Sequence, residues 1–153
     1  MEIHQLTLTT NTQNPKVETA LSHLQNLVLI LNEKKLQHNV VLQINFEIDE
    51  INRSVLVGNP LFNLIKKKQS NIIKLLEKDL KIVPVNYYRN IWIPLGMGAF
   101  GLPLGSLLGL SLGNIGLMAI GLPIGVAIGA AFGAVLDKKA KKEGRQLNIE
   151  IKY

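Results

Sequence analysis

The chain has 153 residues, a net charge of +6, a mean hydropathy of +0.21 and no cysteine. This length suits one ordinary domain, and 47% hydrophobic against 18% charged residues excludes a disordered tail or a highly charged coiled coil. Without cysteine the chain forms no disulfide, cysteine-based zinc site, iron–sulfur cluster or thiol nucleophile. Residues 1–10 lack a basic stretch followed by an apolar run, so we expect no secretory signal peptide.

Residues 1–89 are predicted to form a small cytoplasmic α+β module. Alternating apolar residues favour strands at Glu2–Thr10 and Val40–Asp49. Apolar residues at spacings of three and four favour helices at Pro15–Leu36 and Leu61–Leu80, each introduced by an Asn-Pro pair. The second helix is expected to break near Lys68–Ser70, where the apolar pattern loses phase, and to end before Val83-Pro84.

Residues 90–136 contain no charged residue and no histidine, and they hold eleven of the 13 glycines. A repeat divides this run: GMGAFGLPLGSLLGLSLG at 96–113 matches GLMAIGLPIGVAIGAAFG at 116–133 in eight of eighteen positions. The turn dipeptide Gly113-Asn114 lies at the junction. We therefore predict two transmembrane helices, at about 91–112 and 115–136. Each would be about 33 Å long, enough to cross a 30 Å hydrocarbon core.

Glycines recur every fourth residue in both predicted spans, so each helix carries a stripe without side chains. Glycine is costly in a helix, and close backbone approach between membrane helices is the reason that fits this pattern. We predict that these glycines mediate helix packing and assembly into a homo-oligomer. The predicted helix-packing residues are Gly101, Gly105, Gly109, Gly113, Gly121, Gly125, Gly129 and Gly133.

Aromatic and basic residues flank the two spans, as is typical of a membrane interface. The predicted interface residues are Tyr87, Tyr88, Arg89, Trp92, Lys138, Lys139, Lys141 and Lys142. Because both flanks are basic and the turn is uncharged, the positive-inside rule places both termini in the cytoplasm, with the chain in the inner membrane. Alternatively, the lysines form a solvated helix end and the aromatics belong to the core of the soluble part. Residues 137–153 are predicted as a basic segment followed by a strand from Leu147, which would pair with the earlier strands.

The sequence offers little for catalysis, and we predict no catalytic, cofactor or metal site and no enzyme activity. The three histidines, His4, His23 and His38, lack ligand spacing. The acidic group Glu47, Asp49 and Glu50 and the serines Ser54 and Ser70 fit a solvated surface better than an active site. The apparent GxGxxG at 96–101 lies inside the apolar run without a preceding strand.

The basic residues of the second helix are Lys66, Lys67, Lys68, Lys74, Lys78 and Lys81. Glu77 and Asp79 share this helix and no aromatic residues alternate with the lysines, which disfavours nucleic-acid binding. A helix lying on the anionic inner membrane surface fits better. The predicted partners are therefore the lipid bilayer, a second copy of the chain, and an unidentified protein or ligand at the soluble module.

Residues 101–146, GLPLGSLLGLSLGNIGLMAIGLPIGVAIGAAFGAVLDKKAKKEGRQ, resemble the glycine-zipper membrane hairpins of small, largely uncharacterised bacterial proteins. The resemblance implies membrane insertion and self-association and, as in some members, pore formation by a toxin or effector. It carries no enzymatic residues. The leading prediction is a membrane-perturbing or pore-forming protein, and the alternative is a membrane-anchored scaffold or adaptor that does not conduct ions.

Overall fold

The computed structural model describes residues 2–8 and 14–151 and is mostly helical. The chain divides into two compact units, one formed by Met1–Val83 with Ile151–Tyr153 and the other by Pro84–Glu150. The elements are α1 (Pro15–Asn32), α2 (His38–Asn52), α3 (Gly58–Leu80), β1 (Val83–Val85), α4 (Tyr87–Gly96), a π-helical turn (Met97–Gly101), α5 (Leu102–Ser111), a 3-10 turn (Ile115–Leu117), α6 (Met118–Lys142) and β2 (Gln146–Glu150).

The first unit contains a three-helix module, which comprises the segment Glu2–Leu8 and helices α1 to α3. Helix α3 packs against both α1 and α2, and more extensively than these two pack against each other. Fully buried aliphatic residues of all three helices form the core: Leu24, Leu27, Leu31, Ile44, Ile48, Ile51, Leu61, Ile65, Ile72, Ile73 and Leu76. Burial of these side chains is the main source of the module's stability.

The strand predicted at Val40–Asp49 is wrong, because this stretch lies inside helix α2. Its apolar residues fit two periods at once. Val40, Ile44 and Ile48 are buried at the four-residue spacing of a helix, whereas Phe46, which an alternating strand would bury, is 64% exposed. The β-branched residues favour a strand, but packing against α3 stabilises the helix. Intrinsic propensity is a weak constraint where tertiary contacts oppose it.

Helix α1 begins where the sequence predicts it and ends earlier, at Asn32 rather than Leu36. The side chain of Asn14 accepts a hydrogen bond from the Lys16 backbone N–H at 3.1 Å, and Pro15 occupies the first turn. The N-cap predicted from the first Asn-Pro pair is thus confirmed, whereas α3 begins at Gly58, before the second pair, and its N-cap is Val57.

Helix α3 is continuous from Gly58 to Leu80, so the predicted interruption near Lys68–Ser70 is wrong. The apolar pattern fails there because Lys68 is itself buried, with its Nζ 2.9 Å from Glu47 Oε2 and also bonded to Glu50. Burial lowers the pKa of the Lys68 ammonium, but its hydrogen bonds to Glu50 and Glu47 outweigh this effect and raise the pKa above its ordinary value. Lys68 therefore does not belong to an exposed basic face of α3.

The strand predicted at Glu2–Thr10 is wrong for residues 2–8, which form neither strand nor helix, and Thr9 and Thr10 lie outside the described residues. At the other end the predicted strand exists as β2, Gln146–Glu150, and Lys152 and Tyr153 lie outside the described residues. Its partner is β1, in a two-stranded sheet. The expectation that it pairs with the earlier predicted strands is wrong, because those stretches are not strands.

The second unit contains a helical hairpin, Tyr87–Lys142, hereafter the hairpin. Its first arm is α4, the π-helical turn and α5, and its second arm is α6. The chain reverses at Gly113, whose φ of 61° is the left-handed conformation that suits glycine. The Asn114 side chain then accepts from the Gly116 N–H at 2.9 Å. The turn thus lies at the Gly-Asn pair where the sequence predicts it.

Candidate membrane-embedded hairpin

The seam between the two arms of the hairpin is made of glycine backbone. A Cβ atom built on Gly125 would lie 2.6 Å from both the Gly101 nitrogen and the Gly96 carbonyl oxygen. A Cβ on Gly121 would overlap the backbone of Gly101 and Gly105. Real Cβ atoms essentially never approach other atoms this closely, so the two backbones meet at a distance that only glycine permits.

Of the eight predicted packing glycines, seven lie in the seam and one lies in the turn. Seven of the eight are buried and face the other arm: Gly101, Gly105, Gly109, Gly121, Gly125, Gly129 and Gly133. Of these, Gly109 meets the flexible side chain of Met118 rather than backbone. Gly113 differs from the prediction, since it lies in the turn and a Cβ atom added to it would meet nothing within 4 Å.

The π-helical turn keeps the first arm's stripe in register. Gly105 and Gly101 are four residues apart, but the next glycine in the seam is Gly96, five residues further back. In the π-helical turn the Leu102 N–H donates to the Met97 carbonyl oxygen, and this wider turn carries Gly96 onto the same face as Gly101. A regular helix would instead bring Met97 to the seam.

The large apolar side chains of the hairpin point away from the seam. In α5 the only buried residues are Gly105 and Gly109, whereas Leu110 is 80% exposed and Ile115 at the turn is 81% exposed. This is the reverse of a soluble protein, in which large aliphatic residues are buried. The arms Tyr87–Ser111 and Ile115–Lys142 are both long and apolar enough to cross a membrane.

A carboxylate closes the open end of the hairpin. Asp137 is buried on α6, and its Oδ1 and Oδ2 accept hydrogen bonds from the backbone N–H groups of Tyr88 and Arg89, each at 3.0 Å. These N–H groups lie in the first turn of α4, where no residue of the same helix can bond them. The helix dipole also favours an anion there. Asp137 therefore caps one arm from the other arm, a role that the sequence analysis did not assign to it.

Aromatic residues lie near the same end. Trp92 of the first arm stacks on Phe132 of the second, with ring centroids 5.6 Å apart and planes 24° apart. Tyr87 is buried and meets Tyr88 edge to face, with centroids 5.2 Å apart. Trp92 and Tyr88 remain partly exposed, as suits amphipathic rings at a headgroup boundary.

The predicted basic residues gather at this open end as well. Arg89 is exposed beside the Asp137 cap, and four exposed lysines occupy the last turns of α6: Lys138, Lys139, Lys141 and Lys142. Beyond them Arg145 Nε donates to Glu143 Oε2 at 2.7 Å, and this hydrogen bond lowers the pKa of Glu143. The charge of the hairpin is thus confined to one end, whereas its turn is uncharged.

No family model, curated protein or solved structure matches this chain.

The residues considered for catalysis stay apart or pair structurally. His4 Nδ1 lies 2.9 Å from Asp49 Oδ1, while Glu47 and Glu50 bind Lys68. Across residues 2–8 and 14–151, no three His, Asp or Glu side chains are grouped so that they could hold a metal ion.

Proposed function

We propose that the chain is a membrane protein of the cytoplasmic membrane whose hairpin spans the bilayer and anchors the three-helix module. The supporting observation is the reversed distribution of side chains in the hairpin, with glycine inside and large aliphatic residues outside. In water this surface would be costly at about 25 cal/mol per Å² of apolar area. In lipid it meets hydrocarbon chains of the same polarity.

The distribution of charge supports an orientation with both ends of the hairpin in the cytoplasm. Arg89 and the lysines of α6 lie at the open end, and the turn carries no charge. The positive-inside rule retains such an end on the cytoplasmic side. Crossing of the uncharged turn requires no ionised group to leave water.

Anchoring fits this hairpin better than conduction. Between Ile91 and Leu136 the side chains able to form hydrogen bonds are those of Trp92, Ser106, Ser111 and Asn114. The Ser106 hydroxyl donates to the Leu102 carbonyl at 2.9 Å, and Asn114 caps the 3-10 turn. A pore built from copies of this hairpin would therefore present an almost wholly apolar lining to ions, which disfavours passage of water and charge.

We expect copies of the chain to associate through a different surface from the one predicted from the sequence. The glycine stripes predicted to join copies of the chain contact each other within one hairpin. A homo-oligomer in the membrane would therefore form through the outward aliphatic faces, where Leu107 and Leu110 are exposed.

Topology can be tested with single cysteines, because the chain has none of its own. Ile115→Cys places a thiol at the exposed turn and Lys139→Cys places one at the open end. In intact cells a membrane-impermeant maleimide should label Ile115→Cys from outside, whereas Lys139→Cys should react only after the membrane is permeabilised. Reaction of both cysteines only after permeabilisation would show that the hairpin does not cross. Recovery of monodisperse protein without detergent would refute membrane insertion altogether.

Conduction is tested on the same protein reconstituted into vesicles that carry a potassium gradient and a potential-sensitive dye. An anchor leaves the gradient intact at every protein-to-lipid ratio. Dissipation that increases with protein concentration would refute anchoring as the sole role and would favour the pore-forming protein predicted from the sequence.

A further inference from the structure

The segment Glu2–Leu8 is held through its backbone by asparagine side chains of the helices. Asn45 of α2 brackets Ile3 on both sides. Its Oδ1 accepts from the His4 N–H at 2.8 Å, and its Nδ2 donates to the Glu2 carbonyl at 3.3 Å. One side-chain amide thus satisfies a donor and an acceptor of the segment together.

Asn52 repeats this arrangement around Leu6. Its Oδ1 accepts from the Thr7 N–H and its Nδ2 donates to the Gln5 carbonyl, both at 3.0 Å. Asn45 and Asn52 are seven residues apart, about two turns and about 10.5 Å along one face of α2. The bracketed residues are three apart, and an extended chain covers about 10 Å in three residues. Because both asparagines lie on α2, the spacing matches an extended chain that presents the same side every three residues, which is the repeat of polyproline II at about 3.1 Å per residue.

A third asparagine holds the segment from helix α1. Asn32 of α1 accepts from the Ile3 N–H at 3.0 Å. The adjacent N–H groups of Ile3 and His4 therefore bond different helices, α1 through Asn32 and α2 through Asn45. The segment lies in a groove between two helices that both rest on α3.

Apolar side chains of the segment are also removed from solvent. Ile3 is only 4% exposed and serves as the apolar anchor, while Leu6 is half-buried. Beside Leu6 a cavity of about 280 Å³ remains, lined by Gln5, Leu6, Gln25, Val28, Leu29 and Asn32. The chain's own segment thus fills the Ile3 site and leaves space next to the Leu6 site.

We propose that this groove is a peptide-binding site and that Glu2–Leu8 is its ligand within the same chain, exchangeable for an extended segment of another polypeptide. The ligand carries an aliphatic residue at the Ile3 position and a second apolar residue three positions later. Backbone recognition by amides accepts many sequences, and the two apolar sites select among them, as in other modes of extended-peptide recognition. The internal segment lowers the apparent affinity for any external peptide in proportion to the fraction of time it occupies the groove.

The test uses the full chain in detergent micelles and a fluorescently labelled peptide of residues 2–8, EIHQLTL. Ile3→Asp in the protein weakens the internal segment, and this variant should bind the peptide more tightly than the wild-type protein does. A peptide carrying the same Ile3→Asp change should not bind. Adding Asn52→Ala to the Ile3→Asp protein removes two hydrogen bonds to the peptide and should weaken binding on the order of tenfold.

Asn63→Ala provides the matched control, because Asn63 is an exposed asparagine on α3. In the Ile3→Asp protein it should leave peptide affinity unchanged. A folded Ile3→Asp protein that does not bind the peptide would overturn the proposal, as would equal losses from Asn52→Ala and Asn63→Ala.

A measurement on the wild-type protein covers the case in which Ile3→Asp unfolds the module. Excess unlabelled peptide should displace the internal segment and accelerate hydrogen exchange of the His4 and Thr7 amides, which Asn45 and Asn52 bond. Exchange rates that do not change with peptide concentration would show that the segment is a fixed structural part of the module.

Discussion

Replacing Gly125 by alanine tests the backbone contact between the two arms of the hairpin. The added Cβ would lie 2.6 Å from the Gly101 nitrogen and the Gly96 carbonyl oxygen, whereas ordinary contact begins at 3.4 Å. The arms must therefore separate locally by about 0.8 Å. A gap of this size forfeits a quarter to a half of the dispersion energy of the atoms that face each other. We expect a destabilisation of about 1–3 kcal/mol, typical of overpacking in a tight interface.

Gly98→Ala is the matched control in the same arm. A Cβ on Gly98 meets nothing within 4 Å, and alanine restricts the backbone more than glycine does, which favours helical structure by up to about 1 kcal/mol. The same chemical change should therefore be neutral or stabilising at Gly98 and destabilising at Gly125.

Fluorescence of Trp92 can report the separation of the two arms, since Trp92 is the only tryptophan of the chain and stacks on Phe132 across the arms. Titration of the protein from mild detergent into sodium dodecyl sulfate should separate the arms and change the Trp92 emission. The midpoint should fall for Gly125→Ala and stay or rise for Gly98→Ala. Equal midpoints for the two variants would refute backbone contact as the basis of arm packing.

Two further substitutions test the polar contacts of each unit. Asp137→Ala removes the cap of α4 and should lower hairpin stability by about 0.5–2 kcal/mol in the same titration, whereas Lys138→Ala, at an exposed neighbour, should change it by less than about 0.5 kcal/mol; similar effects of the two would exclude a capping role. Lys68→Met should destabilise the three-helix module by about 1–3 kcal/mol at neutral pH, measured by urea unfolding. Because the pKa of Lys68 is higher in the folded state, its contribution is complete at neutral pH and lost as the pH rises from about 10.4 through the folded-state value. The difference between Lys68→Met and wild type should therefore shrink above that pH, and a constant difference would contradict the ion pair.

The hairpin could be predicted from the sequence because the patterns that indicate it are local and repeated. The uncharged run, the repeat and the four-residue glycine spacing locate two helices and the turn between them. The surface that each glycine stripe contacts could not be predicted, since the glycine spacing is the same whether the stripe faces the same chain or a second copy. The role of Asp137 depends on the N–H groups in the first turn of α4, which the sequence does not place beside α6.

The three-helix module shows why the rest was harder to predict. Val40–Asp49 fits a strand and a helix equally well in isolation, and only packing against α3 resolves the choice. Lys68 disrupts the apolar pattern of α3 because its charge is neutralised by residues of α2, a contact between distant parts of the chain. The backbone partners of Glu2–Leu8 are side chains rather than a strand, and no periodicity in the segment indicates them.

The close backbone contact divides the positions of the hairpin by their tolerance to substitution. Saturation mutagenesis should find that seam positions in contact with backbone strongly favour glycine, while neighbouring outward positions accept almost any aliphatic residue. The intolerant positions would follow intervals of four along α6, from Gly121 to Gly133, and a single interval of five, between Gly96 and Gly101, along the first arm. The hairpin has two five-residue glycine intervals, and the α-helix is interrupted at both: by the π-helical turn at Gly96–Gly101 and by the 3-10 turn that precedes α6 at Gly116–Gly121. A break in the four-residue glycine spacing thus indicates from sequence where each arm departs from α-helical geometry.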